Sequence, residues 1–313
     1  MSKTNILIAG IGGVGGYFGG MLAKQYANDS QIEIDFFARG EHLKAIKSNG
    51  LMVLNGNDDF RAYPHIATND AAEIGKVDYL IISTKAYDLM SVLDQLEPCI
   101  QPETVILPLL NGVDSKDKIK ARFPDNLVLD GCVYIVARLK GHGTVENIGN
   151  VSKLFFGSVG NDDDRLSRLE SILIGAGIDA KFSTDIMSII WEKFVFISPT
   201  ASATSYFDRS IGEVISNQDS LATIEALIHE VMALAKAKDI KLPADVFERT
   251  MNRLKTLPFE NTSSMHSDYK NNKPQTELYT LTGYVIDEGQ SFGISTPTYD
   301  KVFKGLKNNR SSI

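Results

Sequence analysis

Several features that mark specialised classes of protein are scarce in this sequence. Its 313 residues include two cysteines and five histidines, and 32 lysines and arginines face 39 aspartates and glutamates, a formal net charge of -7. No stretch approaches the roughly 18 apolar residues of a membrane span, and no basic excess is present to neutralise phosphates. The sequence therefore predicts neither a membrane protein nor a nucleic-acid-binding protein.

The cysteines and histidines also exclude some kinds of site. Cys99 and Cys132 are far apart and lie near apolar segments, which favours buried thiols in a reducing compartment over a disulfide framework. The histidines lack helical metal-ligand spacing and cysteine partners, so we predict no metal site. Residues 1–5 lead into a strand-like run and not into the apolar core of a signal peptide. We therefore expect a cytosolic protein.

The first half of the chain alternates short apolar runs with helical patterns. The predicted strands are residues 5–9, 32–38, 79–83 and 104–110. The predicted helices between them are residues 14–26, 41–48 and 88–96. Parallel strands that are covered on both faces lose polar alternation, as these apolar runs do. The pattern predicts βαβ units on a mostly parallel sheet, the Rossmann architecture of α/β proteins.

The second half of the chain has a different pattern. Residues 127–157 hold closely spaced strand-like runs, which we expect to extend the sheet with antiparallel edge strands, and residues 166–174 predict one more helix. Beyond them, apolar residues recur at helical intervals. The predicted helices are residues 191–199, 221–237, 244–254, 276–292 and 297–306. We predict a Rossmann domain over residues 1–183 and an all-α domain over residues 184–313.

A glycine-rich run follows the first predicted strand directly. It reads Gly10, Ile11, Gly12, Gly13, Val14 and Gly15. The Gly-x-Gly-x-x-Gly spacing is weak evidence alone, but here a strand precedes it and a helix follows, as the dinucleotide-binding fingerprint requires. The glycines allow a tight turn and a close approach to a pyrophosphate at the helix N-terminus. We predict a dinucleotide site here, with a ligand-free turn as the alternative.

The end of the second predicted strand distinguishes between the two nicotinamide dinucleotides. NAD sites place an acidic residue there to bind the ribose 2′-hydroxyl, whereas this chain has Ala38 and then Arg39. Asp35 is close in sequence but lies inside the strand. Because a guanidinium pairs with a 2′-phosphate, we predict NADP(H) as the cofactor. The alternative is that Arg39 is a solvated residue at the start of a helix.

Three more residues are candidates for the chemistry. Lys85 and Asn111 follow the third and fourth predicted strands, at the carboxyl ends where a Rossmann sheet binds ligands, although either could be an ordinary loop residue. Lys193 is a single lysine within the apolar helical run of residues 190–196. Such a lysine either extends to solvent or is held in a cleft, where it can donate a proton.

Together these segments resemble the ketopantoate reductase (2-dehydropantoate 2-reductase) family. Trp191-Glu192-Lys193, Ser263-Ser264-Met265 and Glu277 follow the glycine run in the family's order, and the resemblance covers nearly the whole chain. It implies a Rossmann domain followed by a helical domain. The implied reaction is the NADPH-dependent reduction of a 2-keto acid. The substrate favoured by the resemblance is ketopantoate, which is reduced to pantoate in pantothenate and coenzyme A biosynthesis.

The resemblance also implies roles for single residues. The glycine run, Arg39, Lys85 and Asn111 would bind NADPH. Lys193 and Glu277 would be catalytic, with Lys193 as the general acid that protonates the developing alkoxide. The residues implied in substrate binding are Lys85, Asn111, Lys193, Ser264 and Glu277. The expected partner is thus a small keto acid, and the oligomeric state stays open, a homodimer being one option.

The resemblance has two departures. The family typically carries asparagines four and eight residues after the lysine, where this chain has Ile197 and Ala201, and residues 273–277 look like a one-residue insertion before Glu277. The departures leave the identity of the keto acid open. A nearby polar run either substitutes for the asparagines or packs and caps the helix. It consists of Ser198, Thr200, Ser202, Thr204 and Ser205.

Two other functions are alternatives to a ketopantoate reductase. A β-hydroxyacid or glycerol-phosphate-type dehydrogenase shares the architecture and a catalytic lysine, but usually carries an asparagine where this chain has Ile197. A non-catalytic NADP(H)-sensing protein of this fold is expected to have lost its proton donor. The presence of Lys193 and Glu277 counts against that second rival.

Overall fold

A computed structural model describes residues 3–158 and 163–310 of the chain. The chain divides into two compact units, of which the first comprises Met1–Leu110 and Asp114–Ile186 and the second Asn111–Val113 and Met187–Ile313. The division predicted from the sequence, between residues 183 and 184, differs in assigning Asn111–Val113 to the first domain and residues 184–186 to the second.

The first unit contains a parallel sheet of the Rossmann type, as predicted. Its strands and those of a second sheet are β1 (Thr4–Ala9), β2 (Ile32–Phe37), β3 (Leu51–Leu54), β4 (Phe60–Ala62), β5 (Ile66–Thr68), β6 (Tyr79–Ile82), β7 (Val105–Pro108), β8 (Leu127–Val128), β9 (Asp130–Gly141), β10 (Thr144–Gly157) and β11 (Asp179–Phe182). The Rossmann sheet has the order β5-β2-β1-β6-β7-β8, with every pairing parallel. Strands β6 and β7 are buried along their whole length, which explains their unbroken apolar sequence.

The expectation that the later strands extend this sheet in antiparallel fashion is wrong. Strand β8 joins it in parallel beside β7, whereas β9 and β10 form an antiparallel hairpin in a second sheet of order β11-β10-β3-β4. At the point of departure, a Cβ on Gly131 would lie 2.2 Å from the Pro108 carbonyl oxygen, so the chain passes close to the Rossmann sheet there. Strands β3, β4 and β11 escaped prediction because each has only three or four residues, too few to show a period.

Helix α1 lies between the two sheets. The helices of the first unit are α1 (Gly13–Gln25), α2 (Gly40–Asn49), α3 (Leu89–Leu96), α4 (Ser115–Arg122) and α5 (Asp164–Gly175). A Cβ on Gly16 would lie 2.5 Å from Val145 of β10, and one on Gly20 would lie 2.7 Å from Val53 of β3. Glycines along α1 therefore allow the second sheet to pack directly against the helix, in addition to their part in the turn before it.

The second unit is helical in its described residues, as predicted. Its helices are α6 (Ile186–Phe207), α7 (Ile211–Ser216), α8 (Gln218–Ala237), α9 (Val246–Thr256), α10 (Ser264–Lys270), α11 (Tyr284–Ser291) and α12 (Pro297–Arg310). A π-helical turn, Tyr279–Gly283, leads into α11. Trp191, Phe194 and Tyr284 pack edge to face or tilted, with ring centroids 5.6 to 6.4 Å apart, and anchor α6 in the apolar core.

Helix α6 is longer than the predicted helix, which ended at Pro199. It continues through the proline to Phe207, although proline removes an N–H donor from the ladder. The hydroxyls of Thr200 and Thr204 donate to the carbonyls four residues earlier, at 2.6 and 2.7 Å. Since both faces of this part of the helix are buried, tertiary packing outweighs the local effect of the proline.

Three observations concern the membrane spans, metal sites and disulfides that the sequence analysis considered. None of the helices in residues 3–158 and 163–310 combines the length and the apolar character of a membrane span. In the same residues, no group of three or more His, Cys, Asp or Glu side chains is arranged to hold a metal ion. Both cysteines are buried.

Candidate active site

The predicted dinucleotide turn starts where β1 ends. Gly10 has φ +92°, its N–H donates to the Phe37 carbonyl at 3.1 Å, and a Cβ on it would lie 2.7 Å from the Thr84 side chain. A Cβ on Gly15 would lie 2.1 Å from the Gly10 carbonyl oxygen. Both positions therefore require glycine, one for its backbone conformation and the other for its lack of a side chain.

The turn fits a phosphate-bearing cofactor. Gly12 precedes α1 directly, and a Cβ built there would meet none of the described atoms within 4 Å, so a ligand has room to approach the backbone. The first N–H groups of α1 have no partner within the helix, and no acidic residue occupies its first turn. The hydroxyls of Ser83 and Thr84, beside Gly10, are buried and have no hydrogen-bond partner among the described residues. These unpaired groups suit a pyrophosphate and its ribose.

Arg39 lies at the N-terminus of α2, two residues after β2 ends. Its side chain is 79% exposed, and its Nη2 lies 2.9 Å from Asp88 Oδ2. Asp35, the other candidate for ribose recognition, is buried and accepts a hydrogen bond from the Ile66 amide at 3.0 Å. Its carboxylate is therefore engaged with β5, and Arg39 is the residue of this segment that is accessible to a ribose phosphate.

The second unit brings together three predicted residues that are far apart in sequence. Lys193 Nζ on α6 donates to Asn111 Oδ1 at 3.1 Å, and Asn111 Nδ2 donates to Glu277 Oε2 at 3.5 Å. The Asn111 amide thus uses both of its polar atoms: the oxygen accepts from the ammonium group, and the nitrogen donates to the carboxylate. Glu277 is 3% exposed. The ammonium group of Lys193 is thus held in place by the amide, in a position from which a lysine can donate a proton.

Hydroxyl groups join α6 to the π-helical turn that follows Glu277. Ser198 Oγ donates to the Leu281 carbonyl at 2.6 Å and accepts from Tyr299 Oη at 2.6 Å, while Ser202 and Thr282 hydrogen-bond at 2.8 Å. Burial raises the pKa of Tyr299 well above its ordinary value, so its hydroxyl remains a donor. These bonds fix the segment that carries Glu277 against the helix that carries Lys193. π-Helical turns are frequent at functional sites.

Family models match the two halves of the chain separately. The model described as ketopantoate reductase PanE/ApbA matches residues 6–161, and the model described as ketopantoate reductase PanE/ApbA C terminal matches residues 185–309. Together the two matches cover most of the sequence.

The chain belongs to the ketopantoate reductase family.

Similar proteins agree along their full length. A 2-dehydropantoate 2-reductase of Streptococcus pyogenes serotype M6 is 28% identical and covers 98% of both chains, and YkpB of Bacillus subtilis, called an uncharacterized oxidoreductase, is 28% identical over 96% of this chain and 97% of its own. The crystal structure of a 2-dehydropantoate 2-reductase from Porphyromonas gingivalis W83 is 35% identical, with a TM-score of 0.85 over 97% of this chain and 99% of that one. As a member of the ketopantoate reductase family, the protein is an NADP-dependent oxidoreductase.

Lys85 and Ser264 are the other two residues predicted to bind substrate. Lys85 is half-buried at the start of a short helical turn after β6. Ser264 is the exposed first residue of α10, and the preceding Ser263 is the residue that caps the helix, accepting from the His266 amide at 3.0 Å. The substrate contacts predicted for Lys85 and Ser264 stay predictions.

The polar run of α6 is largely explained by packing. Ser198 and Ser202 contact the π-helical turn, Thr204 hydrogen-bonds Ser263 at 2.8 Å, and Thr200 bonds its own helix. Packing and capping is therefore the better of the two interpretations for these four residues. Ser205 is the exception, because its buried hydroxyl has no partner among the described residues. Sequence reasoning missed Tyr299 and Thr282, whose only signal was a hydroxyl within an apolar helical pattern.

Proposed function

We propose that the protein reduces 2-dehydropantoate (ketopantoate) to pantoate with NADPH. The hydrogen-bonded chain Lys193–Asn111–Glu277 carries the proposal, because it supplies a positioned ammonium group in a fold of the ketopantoate reductase family. Proteins named 2-dehydropantoate 2-reductase that align along the full length add support. In a cell the product would enter pantothenate biosynthesis. Because both cysteines are buried thiols, we place the reaction in the cytosol.

The roles of the residues follow from their contacts. Bound NADPH supplies a hydride to the keto carbon. Lys193 donates a proton from Nζ to the oxygen that becomes the hydroxyl, so that the ketone gains one hydride and one proton. Asn111 holds the ammonium group in place, and the buried Glu277 accepts the other end of the amide and so fixes its orientation. A general acid of this kind contributes about 100- to 10,000-fold to the rate.

A second candidate substrate is a 2-keto acid with an apolar side chain. Ile197 lies one helical turn after Lys193, so the two side chains are neighbours on the surface of α6. Ile197 is partly buried against the apolar core and has no hydrogen-bonding group to offer to a substrate hydroxyl. A site that leaves a substrate hydroxyl unpaired selects against it.

A substrate panel decides between the two candidates. We would measure NADPH oxidation with ketopantoate, with 2-ketoisovalerate, which lacks the hydroxymethyl group, and with phenylglyoxylate. If ketopantoate is the substrate, its kcat/KM exceeds the kcat/KM of each of the other two acids by at least about tenfold, the equivalent of one satisfied hydrogen bond. A preference for either apolar acid establishes the second candidate, and turnover of none of the three refutes both.

Replacing Ile197 sharpens that comparison. In the second candidate, Ile197→Asn lowers kcat/KM for the apolar acids and raises it for ketopantoate, whereas the matched control Ile197→Val keeps the apolar surface and the original order. If Ile197→Asn shifts no substrate relative to another, Ile197 does not contact the substrate.

A further inference from the structure

His42 connects two backbone segments of the first unit that flank the cofactor site. It lies on α2, three residues after Arg39. Its Nδ1 accepts a hydrogen bond from the Gly143 N–H at 2.9 Å, in the turn that joins β9 to β10. A nitrogen that accepts from an N–H carries no proton, so the neutral ring is protonated on Nε2.

The other ring nitrogen, Nε2, is buried and has no hydrogen-bond partner among the described residues. The hydrogen bond at Nδ1 is therefore the contact through which the ring acts, and it joins α2 to the β9–β10 turn.

The β9–β10 turn is itself held firmly. Gly143 has φ +72°, its carbonyl accepts from the Met52 amide at 2.9 Å, and a Cβ on it would lie 2.9 Å from Ala45 of α2. The hairpin also touches the glycine run directly, because a Cβ on Gly13 would lie 2.3 Å from the Ala137 carbonyl oxygen of β9. The hairpin thus packs against the cofactor turn at Gly13 and is joined to α2 through His42.

The surroundings of the ring keep it neutral. Burial lowers the pKa of His42 below its ordinary value, the backbone of Ile11 acts in the opposite direction, and the neighbouring His142 adds to the lowering. The ring has no carboxylate partner among the described residues that would hold a positive charge. If the ring gains a proton on Nδ1, two N–H donors face each other at Gly143, and the hydrogen bond is lost.

We propose that His42 is a positioning residue of the cofactor site: its neutral ring ties α2 to the turn of the β9–β10 hairpin, which packs against the glycine run, and protonation in acid breaks this tie and weakens dinucleotide binding. The inference rests on the cofactor site of the first unit and is independent of which keto acid is reduced.

The test measures binding and not turnover. We would titrate the full-length protein with NADP+ by calorimetry, without keto acid, at intervals between pH 8 and pH 5.5. His42→Ala should raise the Kd at pH 8 about tenfold, as expected for one lost hydrogen bond with its reorganisation. His42→Asn places an amide oxygen near the position of Nδ1 and does not ionise, so its Kd at pH 8 should stay within about threefold of the wild type.

The acid range separates the proton on His42 from other titrations. The ribose phosphate of NADP+ itself gains a proton near pH 6, so the useful quantity is the ratio of variant to wild-type Kd at each pH. For His42→Asn this ratio should fall steadily from pH 8 towards pH 5.5, because only the wild type loses its tie. His142→Asn, the control at the neighbouring histidine, should keep the acid-side loss of the wild type and move it, if at all, to slightly higher pH, because the charge that lowers the pKa of His42 is removed.

Three results would overturn the proposal. One is a His42→Ala variant that binds NADP+ as tightly as the wild type at pH 8. Another is a His42→Asn variant with the same acid-side loss as the wild type, which would place the proton elsewhere. The third is a nitrogen NMR spectrum that shows the proton of neutral His42 on Nδ1. If His42→Ala does not fold, the last two measurements still decide. Lack of activity on ketopantoate leaves all of them unaffected.

Discussion

The two units of the chain build their functional groups from different material. The first offers mainly backbone: glycine N–H groups at the start of α1 and a turn that depends on the missing side chain of Gly15. The second offers side chains, in the chain of Lys193, Asn111 and Glu277. From this difference we expect cofactor binding to be sensitive to side-chain atoms added at the glycines, and proton transfer to be sensitive to the removal of a side chain. Three substitutions test this contrast.

The largest expected effect is in the second unit. Lys193→Ala removes the proton donor and should lower kcat by at least about 100-fold, while the Kd for NADP+ stays within about twofold of the wild type. Initial rates at saturating NADPH, together with binding titrations, measure both. Lys193→Arg is the matched control, because it keeps the charge but holds its proton too tightly to donate, and it should be nearly as slow. Near-normal turnover of either variant refutes the role of Lys193.

An addition of one carbon tests the first unit. Gly15→Ala places a Cβ against the Gly10 carbonyl, so the turn must shift; we expect a lower melting temperature and a Kd for NADP+ raised about tenfold or more. Gly12→Ala is the matched variant, since its Cβ meets no described atom in the free protein. It should keep the wild-type melting temperature and still weaken binding, by standing where the cofactor approaches. Tight binding by Gly12→Ala contradicts the placement of the cofactor.

The smallest effect concerns a side chain of the first unit. Arg39→Ala should raise the Kd for NADPH about tenfold and leave that for NADH within about twofold, because only NADPH carries the 2′-phosphate that the guanidinium pairs with. The exposed position of Arg39 keeps this effect modest, since charge pairs at a surface are screened. Fluorescence titration with each cofactor provides the measurement. Equal weakening of both contradicts the assignment of Arg39.

The contrast between the units also explains how far sequence reasoning reached. The glycine run could be placed because a strand, a turn and a helix follow one another within residues 4–25, and Arg39 because it follows the second strand almost directly. The hydrogen bonds of Asn111 with Lys193 and with Glu277 could be expected only from the family resemblance, because the members of these pairs are 82 and 166 residues apart. Local periodicity carries no information at such distances.

The hydroxyl contacts of α6 show a second limit. Ser198 sits in a helical segment where a serine usually bonds its own backbone, yet its partners are Leu281 and Tyr299, on other elements. The second sheet was missed for a related reason, since its short strand β3 pairs with β10, which is distant in sequence. In both cases the deciding contacts are tertiary, and the sequence shows only a residue type that is compatible with them.

One consequence follows from the path of the chain. Asn111 emerges from the end of β7, a strand of the first unit, but belongs to the second unit by its contacts. The three residues of the proton-transfer group are therefore not contained in any continuous segment that excludes the Rossmann fold. Residues 187–313 expressed alone would carry Lys193 and Glu277 without the amide that joins them. Recombination between relatives, in a laboratory or over evolution, therefore cannot exchange residues 187–313 alone. The incoming helical segment must suit the asparagine that follows β7.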